Sequence, residues 1–460
     1  MEQIQENLEL RGMIGLEVHV YLVTKEKLFC RCKASRERGL RANINICPIC
    51  TAQPGAKPML PNEEAVKQTV RIGLMFGCKI NSEMKWQRKH YDWPDLPKGY
   101  QNTISGTYAI PVGENGKFYG IRIRSIHLEE DPASWEPDTG CVDYNRSGLP
   151  LVEIITEPDF ETAEEVENWI NGLVHNLAYL KSVDSNAGIK VDVNVNIPGK
   201  TERVEIKNLN SIESIKRAID YELTRQAVDG SERETRRFDA MSGKTFRMRG
   251  KEEQEDYRFI TDPDLQDIVI DSKSIEELKR SLPESPEEKL EKIIKKFKIG
   301  KKDAEVLTKH IDIAEFFEEV AEKIDAKFAL PWIIGELLRF LNYNKVRLND
   351  VDIKIEHFVE LLKSVKSGKI SVLKGKQILN QFYPKSFSIK ELWKKEERIS
   401  DRGELEKIIR EIINENKKAV GDYKIGGKNA FNYLMGEIMK KTNRRADFEI
   451  ASEILREMLR

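Results

Sequence analysis

The feature that most constrains this chain is a β-rich, strongly acidic segment, residues 121–159. Two apolar, β-branched runs within it, 121–128 and 151–155, predict neighbouring strands. Carboxylates are depleted from strands, and strands that bring them together force like charges into contact. A hard cation such as Mg²⁺ would relieve that repulsion, because it binds carboxylate oxygens and leaves positions open for phosphates. The simpler alternative is an acidic strand edge facing solvent. The charged residues and the histidine concerned are His127, Glu129, Glu130, Asp131, Glu153, Glu157 and Asp159.

A second strand near the N-terminus carries residues of the same chemical type. Residues 14–23 alternate between apolar and other side chains, which predicts a strand. Glu17 and His19 are two positions apart and therefore point to one face, with Tyr21 following them. A lone histidine on a strand is usually structural, whereas a Glu-x-His pair on one face is a more specific sign of ligand binding.

The six cysteines divide into two pairs and two single residues. Cys30 and Cys32 form a C-x-C pair, Cys47 and Cys50 form a C-x-x-C pair, and fourteen residues lie between the two pairs. In a chain without an export signal this spacing indicates a structural zinc site, because four thiolates leave no open position on the metal. Free buried cysteines are the alternative. Cys78 and Cys141 follow no pairing pattern and are expected to be ordinary buried thiols.

Composition limits the class of protein. A chain of 460 residues predicts two to four domains, and 40% hydrophobic with 33% charged residues suits a globular protein. No apolar run reaches 18 residues and the N-terminus lacks a signal-peptide pattern, so we expect no membrane segment and a cytoplasmic, reducing environment. The net charge of −1 means that any nucleic-acid partner must be met by local basic patches.

One loop-like segment, residues 86–101, combines aromatic, basic and proline residues. Prolines hold such a segment rigid, and cations interleaved with aromatics suit contacts to phosphates and bases. The alternative is a proline-rich structural loop.

The order of predicted elements gives an α+β fold class. Helices predicted at 62–77 and 161–180, with strands at 191–197 and 203–211, indicate a mixed, largely antiparallel sheet domain over residues 1–282, with the zinc-binding insertion at about 30–50.

The sequence pattern becomes helical after this domain. A capping box at 285–288 opens an all-α domain, residues 283–397. A hydrophilic linker at 394–404 leads into a small helical tail, residues 398–460, with a glycine-bearing turn at 423–430. The tail carries a basic cluster that is either a solvated helix face or a phosphate-contacting patch: Lys440, Lys441, Arg444 and Arg445.

Taken together, these stretches resemble a known family, the B subunit of the aspartyl/glutamyl-tRNA(Asn/Gln) amidotransferase. The resemblance covers nearly the whole chain. It is carried by IGLEVHV, the cysteine pairs, RKHYDWPDLPKGYQ, IHLEED, VDYNRSGLPLVEIITEPD, VEIKNLNS, DYRFITDPDL, PWIIGEL and GKNAFNYLMGEIMK.

The resemblance implies a cradle-like sheet domain, a helical domain and a tail domain that contacts tRNA. It implies a ligase that forms a C–N bond with glutamine as amido donor. ATP would phosphorylate the side-chain carboxylate of glutamate or aspartate mischarged on tRNA, with Mg²⁺ as cofactor. Ammonia from a separate amidase-type A subunit would then displace phosphate. A small C subunit would complete a heterotrimer.

The resemblance also assigns site residues. The metal and active-site residues of the family fall on Glu17, His19, Glu130, Glu153 and Asp192, and substrate-contacting side chains fall on Lys89 and Tyr91. The loop before Asp192, residues 185–192, departs from the acidic run usual in the family.

Two other functions remain as alternatives. The sister amidotransferase subunit specific for Glu-tRNA(Gln) shares the Glu-x-His and acidic strands, but it usually carries an inserted domain for which 460 residues leave no room. A non-catalytic tRNA-binding zinc module would need no converging carboxylates.

Overall fold

The computed structural model describes residues 10–37, 39–183, 188–250, 258–390, 399–424 and 428–459. The chain divides into two compact units, Met1–Ser285 and Pro286–Arg460. Parts of the predicted linker, of the glycine-bearing turn and of the 185–192 loop lie outside the described residues. Within the described residues, no helix is long and apolar enough to cross a membrane.

The N-terminal unit is built on β-strands. They are β1 Met13–Tyr21, β2 Lys79–Ile80, β3 Glu83–Met84, β4 Gln87–His90, β5 Tyr100–Thr103, β6 Gly113–Phe118, β7 Ile121–Glu130, β8 Ser134–Glu136, β9 Cys141–Asp143, β10 Pro150–Thr156, β11 Ile189–Asn196, β12 Val204–Leu209, β13 Glu234–Asp239, β14 Lys244–Gly250, β15 Arg258–Thr261 and β16 Ile268–Val269. Its helices are α1 Glu63–Met75, α2 Ala163–Leu180, α3 Ile212–Asp229 and α4 Ser272–Arg280.

One twelve-stranded sheet organises this unit. Its main path is β14-β13-β12-β11-β1-β10-β7-β5-β4-β15, with β6 and β2 branching from β7. Strand β1 lies between β10 and β11 and is antiparallel to both. Among the strand pairs of the described residues, only β12–β13 is parallel. The mixed, largely antiparallel α+β architecture expected from the sequence is therefore confirmed.

The two faces of the central strands differ in chemistry. Leu16, Val18 and Val20 of β1 join Val152 and Ile154 of β10 in a hydrophobic core. Apolar residues of α1, α2 and α3 belong to the same core, so these helices cover that face of the sheet. Because side chains alternate along a strand, the polar residues of β1 and β10 lie on the other face.

The sheet must curve. A flat path of ten strands would separate β14 from β15 by about 43 Å, at roughly 4.8 Å per strand. Yet β14 ends at Gly250 and β15 begins at Arg258, and eight Cα–Cα steps span at most about 30 Å. Covalent connectivity therefore bends the sheet into the cradle that the family resemblance implied.

Local signals place the helices as expected. The Asn62 side chain caps α1 by accepting from the backbone N–H groups of Glu64 and Ala65. Thr162 and Glu165 form a capping box at the start of α2. The segment predicted as a loop at 86–101 differs from expectation, because its ends form the antiparallel strands β4 and β5 and only the residues between them are irregular.

The C-terminal unit is helical. It contains α5 Pro286–Phe297, α6 Lys301–Thr308, α7 Ile311–Lys323, α8 Ala326–Pro331, a π-helical turn Trp332–Leu337, α9 Leu338–Asn344, a 3₁₀ turn Leu348–Asp350, α10 Ile355–Lys366, α11 Val372–Asn380, α12 Arg402–Glu415, α13 Lys417–Lys424, α14 Lys428–Lys441 and α15 Phe448–Leu459. Two separate hydrophobic clusters hold it together, one drawn from residues 293–389 and one from 399–459.

Candidate active site and metal centres

Strand register brings the polar residues of β1 next to acidic residues of both neighbouring strands. His19 lies opposite Glu153 of β10, and Glu17 lies opposite Asp192 of β11. These are four of the residues that the family resemblance assigned. Each comes from a strand whose other face is buried in the core, so the backbone holds them on the open face of the curved sheet.

The first group of side chains on this face consists of His19, Glu129 and Glu153. The Nε2 atom of His19 lies 3.5 Å from Glu153 Oε1 and 3.7 Å from Glu129 Oε1. Burial, together with the charge of Glu153, raises the pKa of Glu129 to about 7. Burial opposes ionisation of Glu153 as well, but the hydrogen bond and charge of His19 outweigh it and lower its pKa.

Two buried atoms of this group lack a partner. His19 Nδ1 and Glu153 Oε2 accept and donate no hydrogen bond within the described part of the chain. Burial of a polar atom without a partner costs free energy. A cation bound beside Glu153 would satisfy its Oε2 atom.

The second group consists of Glu17, Asp192 and Glu205, whose carboxylate oxygens lie within 4.8 Å of one another. Burial raises the pKa of Glu17, and the charges of Glu153, Glu205 and Asp192 raise it further. Asn194 donates its side-chain N–H to Glu17 Oε1 at 3.1 Å. This group shares the polar face with the first, and the charge of Glu153 in the first group acts on Glu17 in the second.

Together the two groups form what we call the carboxylate array: Glu17, His19, Glu129, Glu153, Asp192 and Glu205. Five carboxylates and one imidazole are the oxygen and nitrogen donors that Mg²⁺ or Mn²⁺ accept. Burial first and neighbouring carboxylate charges second raise the pKa values of Glu17 and Glu129, and a divalent cation would counter both effects. The donor set therefore fits the Mg²⁺ implied by the family.

Glu130 lies apart from this array. Its Oε1 accepts from the ammonium of Lys98 and, at 2.9 Å, from the backbone N–H of Asn102. It lines a cavity of about 480 Å³ together with Tyr100 and Cys50. Glu129, its neighbour in sequence, takes the place beside His19 instead. The alternation of His127 and Glu129 with Ile126 and Leu128 is the sequence signal that distinguishes them.

The other residues singled out from the 121–159 segment have structural partners. Both ring nitrogens of His127 are engaged at 2.8 Å, one with the carbonyl oxygen of Ile104 and one with Ser125 Oγ. Asp131 accepts from the Tyr21 hydroxyl at 3.0 Å and pairs with Arg146 at 3.2 Å. Exposed arginines, Arg124 and Arg122, bind Glu157 and Asp159. The segment thus contributes only Glu129 and Glu153 to the array.

Lys89 and Tyr91 lie at the β4 side of the same face. The positive charge of Lys89 opposes the rise in the pKa of Glu129 and adds to the lowering of the pKa of Glu153, so Lys89 is within electrostatic reach of the array. Its Nζ atom lies 6.0 Å from the centre of the Tyr91 ring. Nearby, Trp93 packs edge-on against Trp135 of β8 with ring centres 5.5 Å apart, which anchors the loop after β4.

The four paired cysteines converge into a second candidate metal centre, the cysteine cluster. Cys50 Sγ lies 4.0 Å from Cys32 Sγ and 3.9 Å from Cys47 Sγ, and all four sulfurs lie within 4.8 Å of one another. Tetrahedral zinc with Zn–S bonds of about 2.3 Å sets its sulfurs about 3.8 Å apart. The donors therefore fit zinc.

The two single cysteines differ from each other. Cys78 is buried as expected, and burial raises its pKa to about 12. The expectation was wrong for Cys141, which is exposed. It lies on β9, and β8 and β9 form a separate two-stranded sheet that leaves this residue in solvent.

The basic cluster of the tail is partly neutralised. Lys441 binds Glu415 at 2.9 Å and Glu411 at 3.0 Å, and Lys440 lies 3.8 Å from Glu437. Arg444 and Arg445 follow the end of α14 in a turn. Arg445 Nε donates to the carbonyl oxygen of Thr442 at 3.2 Å, and within the described residues neither arginine forms an ion pair. Their charge is therefore less neutralised than that of Lys441.

Comparison with known proteins identifies the protein family to which the sheet domain and its carboxylate array belong. A family model described as the GatB/GatE catalytic domain matches residues 12–276, which include the whole carboxylate array. A second model, described as a GatB domain, matches residues 315–459.

Relatives that match along almost their whole length identify one subunit family within this class. A protein of Methanocaldococcus jannaschii, named as the B subunit of an aspartyl/glutamyl-tRNA(Asn/Gln) amidotransferase, is 42% identical over 98% of this chain and 98% of its own length. Relatives of the same name from Methanopyrus kandleri and Methanothermobacter thermautotrophicus are 42% and 40% identical, over 97% of this chain and 98% and 99% of their own. The chain belongs to the family of aspartyl/glutamyl-tRNA(Asn/Gln) amidotransferase B subunits, part of a glutamine-dependent C–N ligase system.

Proposed function

We propose that this chain is the kinase-type subunit of a tRNA-dependent amidotransferase. A side-chain carboxylate oxygen of glutamate on tRNA(Gln), or of aspartate on tRNA(Asn), attacks the γ-phosphorus of ATP, and ADP leaves. Ammonia then attacks the resulting acyl phosphate at carbon. Inorganic phosphate departs, and the amide is left after loss of a proton. Ammonia is supplied by hydrolysis of glutamine on an amidase-type A subunit, and a small C subunit completes the assembly.

The observation that carries this proposal is the carboxylate array on the open face of the sheet. Mg²⁺ held there would neutralise the negative charge of the ATP phosphates during transfer. We assign the first position to His19, Glu129 and Glu153, and the second to Glu17, Asp192 and Glu205. A pair of positions is in keeping with phosphoryl transfer, because many such sites hold two cations.

The residues around the array supply orientation. Asn194 donates a 3.1 Å hydrogen bond to Glu17 Oε1, which restricts the orientation of the Glu17 carboxylate. The positive charge of Lys89 acts on Glu129 and Glu153, and the centre of the Tyr91 ring lies 6.0 Å from the Lys89 Nζ atom. We propose both as substrate-contacting residues. Glu130 with Lys98 forms a separate polar pair in the neighbouring cavity, from which it can still act on a substrate that enters there.

The cysteine cluster has a structural role in this proposal. Four thiolates would close the coordination of zinc and hold together a loop segment that contains few strand or helix residues. The tail is proposed to contact tRNA through Arg444 and Arg445, as a third domain beside the sheet and helical domains. We propose a cytoplasmic location, because aminoacyl-tRNA is used there in translation.

The test is ATP turnover by the complex reconstituted with its A and C subunits. Release of γ-phosphate should require both Mg²⁺ and a mischarged tRNA, and glutamine should convert the product to the amide. Assays with Glu-tRNA(Gln) and Asp-tRNA(Asn) in parallel define the substrate range. A complex that binds mischarged tRNA yet releases no phosphate from ATP would contradict the kinase function and favour a non-catalytic tRNA-binding module.

A further inference from the structure

One lysine reaches into the carboxylate array from the strand beyond β11. Glu205 and Lys207 alternate on β12 with Val204 and Ile206, and the two apolar residues belong to the core. Lys207 therefore points to the polar face. Its ammonium nitrogen lies 2.6 Å from Glu205 Oε1 and 3.3 Å from Asp192 Oδ2.

These contacts put a monovalent cation where a divalent one is expected. Asp192 and Glu205 are two of the three carboxylates whose oxygens converge within 4.8 Å, and Glu17 is the third. An ammonium bound at 2.6 Å covers an oxygen that Mg²⁺ would need at about 2.1 Å. Like charges this close repel, so each cation weakens the binding of the other to the same carboxylates.

We propose that Lys207 competes with a divalent cation for Asp192 and Glu205, and that its ammonium moves to a nucleotide phosphate when the cation binds. The proposal rests on the proposed function, because it requires that Glu17, Asp192 and Glu205 bind a metal. Before loading, the positive charge of Lys207 reduces the repulsion between the carboxylates. After loading it becomes a phosphate-binding catalytic residue.

The side chain is suited to such a movement. Lysine carries its charge on a flexible stem of four methylenes and, unlike arginine, binds as a point charge without a fixed fork. The Lys207 side chain is 24% exposed, so it is not locked in place by complete burial. Once a divalent cation holds the carboxylates, the phosphates bound to that cation are the nearest unsatisfied negative charge.

The test separates competition from a merely structural role. Mn²⁺ affinity is measured by electron paramagnetic resonance in the assembled complex for wild type, Lys207→Met, Lys207→Arg and Glu205→Gln. Lys207→Met should bind Mn²⁺ about fivefold more tightly or better, because the competing ion pair is gone. The same variant should show a raised KM for ATP, and its kcat for γ-phosphate release should fall roughly a hundredfold. Lys207→Arg keeps the charge and should keep the wild-type Mn²⁺ affinity.

Lys244→Met is the matched control, since Lys244 is an exposed lysine on β14 of the same sheet. Its Mn²⁺ affinity should equal that of wild type. If wild type binds Mn²⁺ and Glu205→Gln weakens it, while Lys207→Met binds with unchanged or lower affinity, competition is refuted and the metal site stands. If neither wild type nor Glu205→Gln binds Mn²⁺, the proposed function fails, and this inference fails with it.

Discussion

The cysteine cluster and the carboxylate array are two candidate metal centres assembled in opposite ways. The cluster takes all its ligands from positions 30 to 50, on loops outside the strands of the main sheet. The array takes its ligands from β1, β7, β10, β11 and β12, over positions 17 to 205, and depends on the register of each pair. Soft thiolates suit zinc in a closed site, whereas hard carboxylates suit Mg²⁺ with positions left for phosphates.

Because the two centres are built differently, a substitution in one should leave the other intact. A cation in the cluster stabilises the loop that surrounds it, so its loss should appear as lost stability. The array is supported by the sheet and its helix-covered core, so a substitution there should affect chemistry more than folding. Three experiments test this division, from the largest expected effect to the smallest.

Replacing Glu129 by glutamine should give the largest effect. The change keeps the shape of the side chain but removes a charge beside His19 and Glu153. We expect γ-phosphate release to fall roughly a hundredfold, equivalent to about 3 kcal/mol of lost transition-state stabilisation. Mn²⁺ affinity should fall by at least about tenfold, and zinc content should not change.

Glu130→Gln is the matched comparison for that experiment, because it makes the same change one residue along the strand. It breaks the pair with Lys98 but leaves the array intact, so its Mn²⁺ affinity should stay at the wild-type value. Equal loss of Mn²⁺ affinity in both variants would show that the array extends to the opposite face of β7.

Removal of two thiols from the cluster should lower zinc content and stability but leave the Mn²⁺ affinity of the array unchanged. Cys47→Ser/Cys50→Ser should lose the single expected equivalent of zinc, and its thermal midpoint should fall by about 5 °C or more, which corresponds to roughly 2 kcal/mol. Mn²⁺ affinity of the folded variant should be unchanged. Cys141→Ser, at an exposed position, serves as the control with full zinc content. Wild-type zinc content in the double variant would contradict the assignment.

Thiol labelling has the smallest expected effect, and it reports on each cysteine separately. At a pH of about 8, iodoacetamide should modify Cys141, which is exposed, and should not modify Cys78, because burial raises its pKa to about 12 and keeps it as the unreactive thiol. The four cluster thiols should react only after a zinc chelator is added, and Cys78 only after denaturation. Rapid labelling of the cluster without chelator would show that no metal protects it.

Short-range patterns in the sequence were sufficient for much of the fold. The cap at Asn62, the capping box at Thr162 and the strand containing Glu17 and His19 all depend on residues a few positions apart, and the structure has them where the pattern indicated. The C-x-C and C-x-x-C pairs likewise predicted that their sulfurs converge. Within a helix or strand, a spacing of two, three or four residues determines which side chains lie on the same face.

Pairing between distant segments could not be read in the same way. The residues alone named both Glu129 and Glu130, and the family resemblance assigned Glu130 to the active site. In the structure Glu129 lies beside His19 and Glu130 pairs with Lys98, because one residue along a strand reverses the face. Glu205 and Lys207 carried no signal by themselves, and they gained a role only when β12 paired with β11.

The sequence by itself determined the α+β class, the cysteine cluster and the Glu-x-His strand, since each is encoded within a short stretch of chain. The tertiary structure alone decided that Glu129 and Glu205 join the other carboxylates and that Lys207 reaches them. The physical reason is that strand register is fixed by core packing across the whole sheet, and no local pattern specifies that packing.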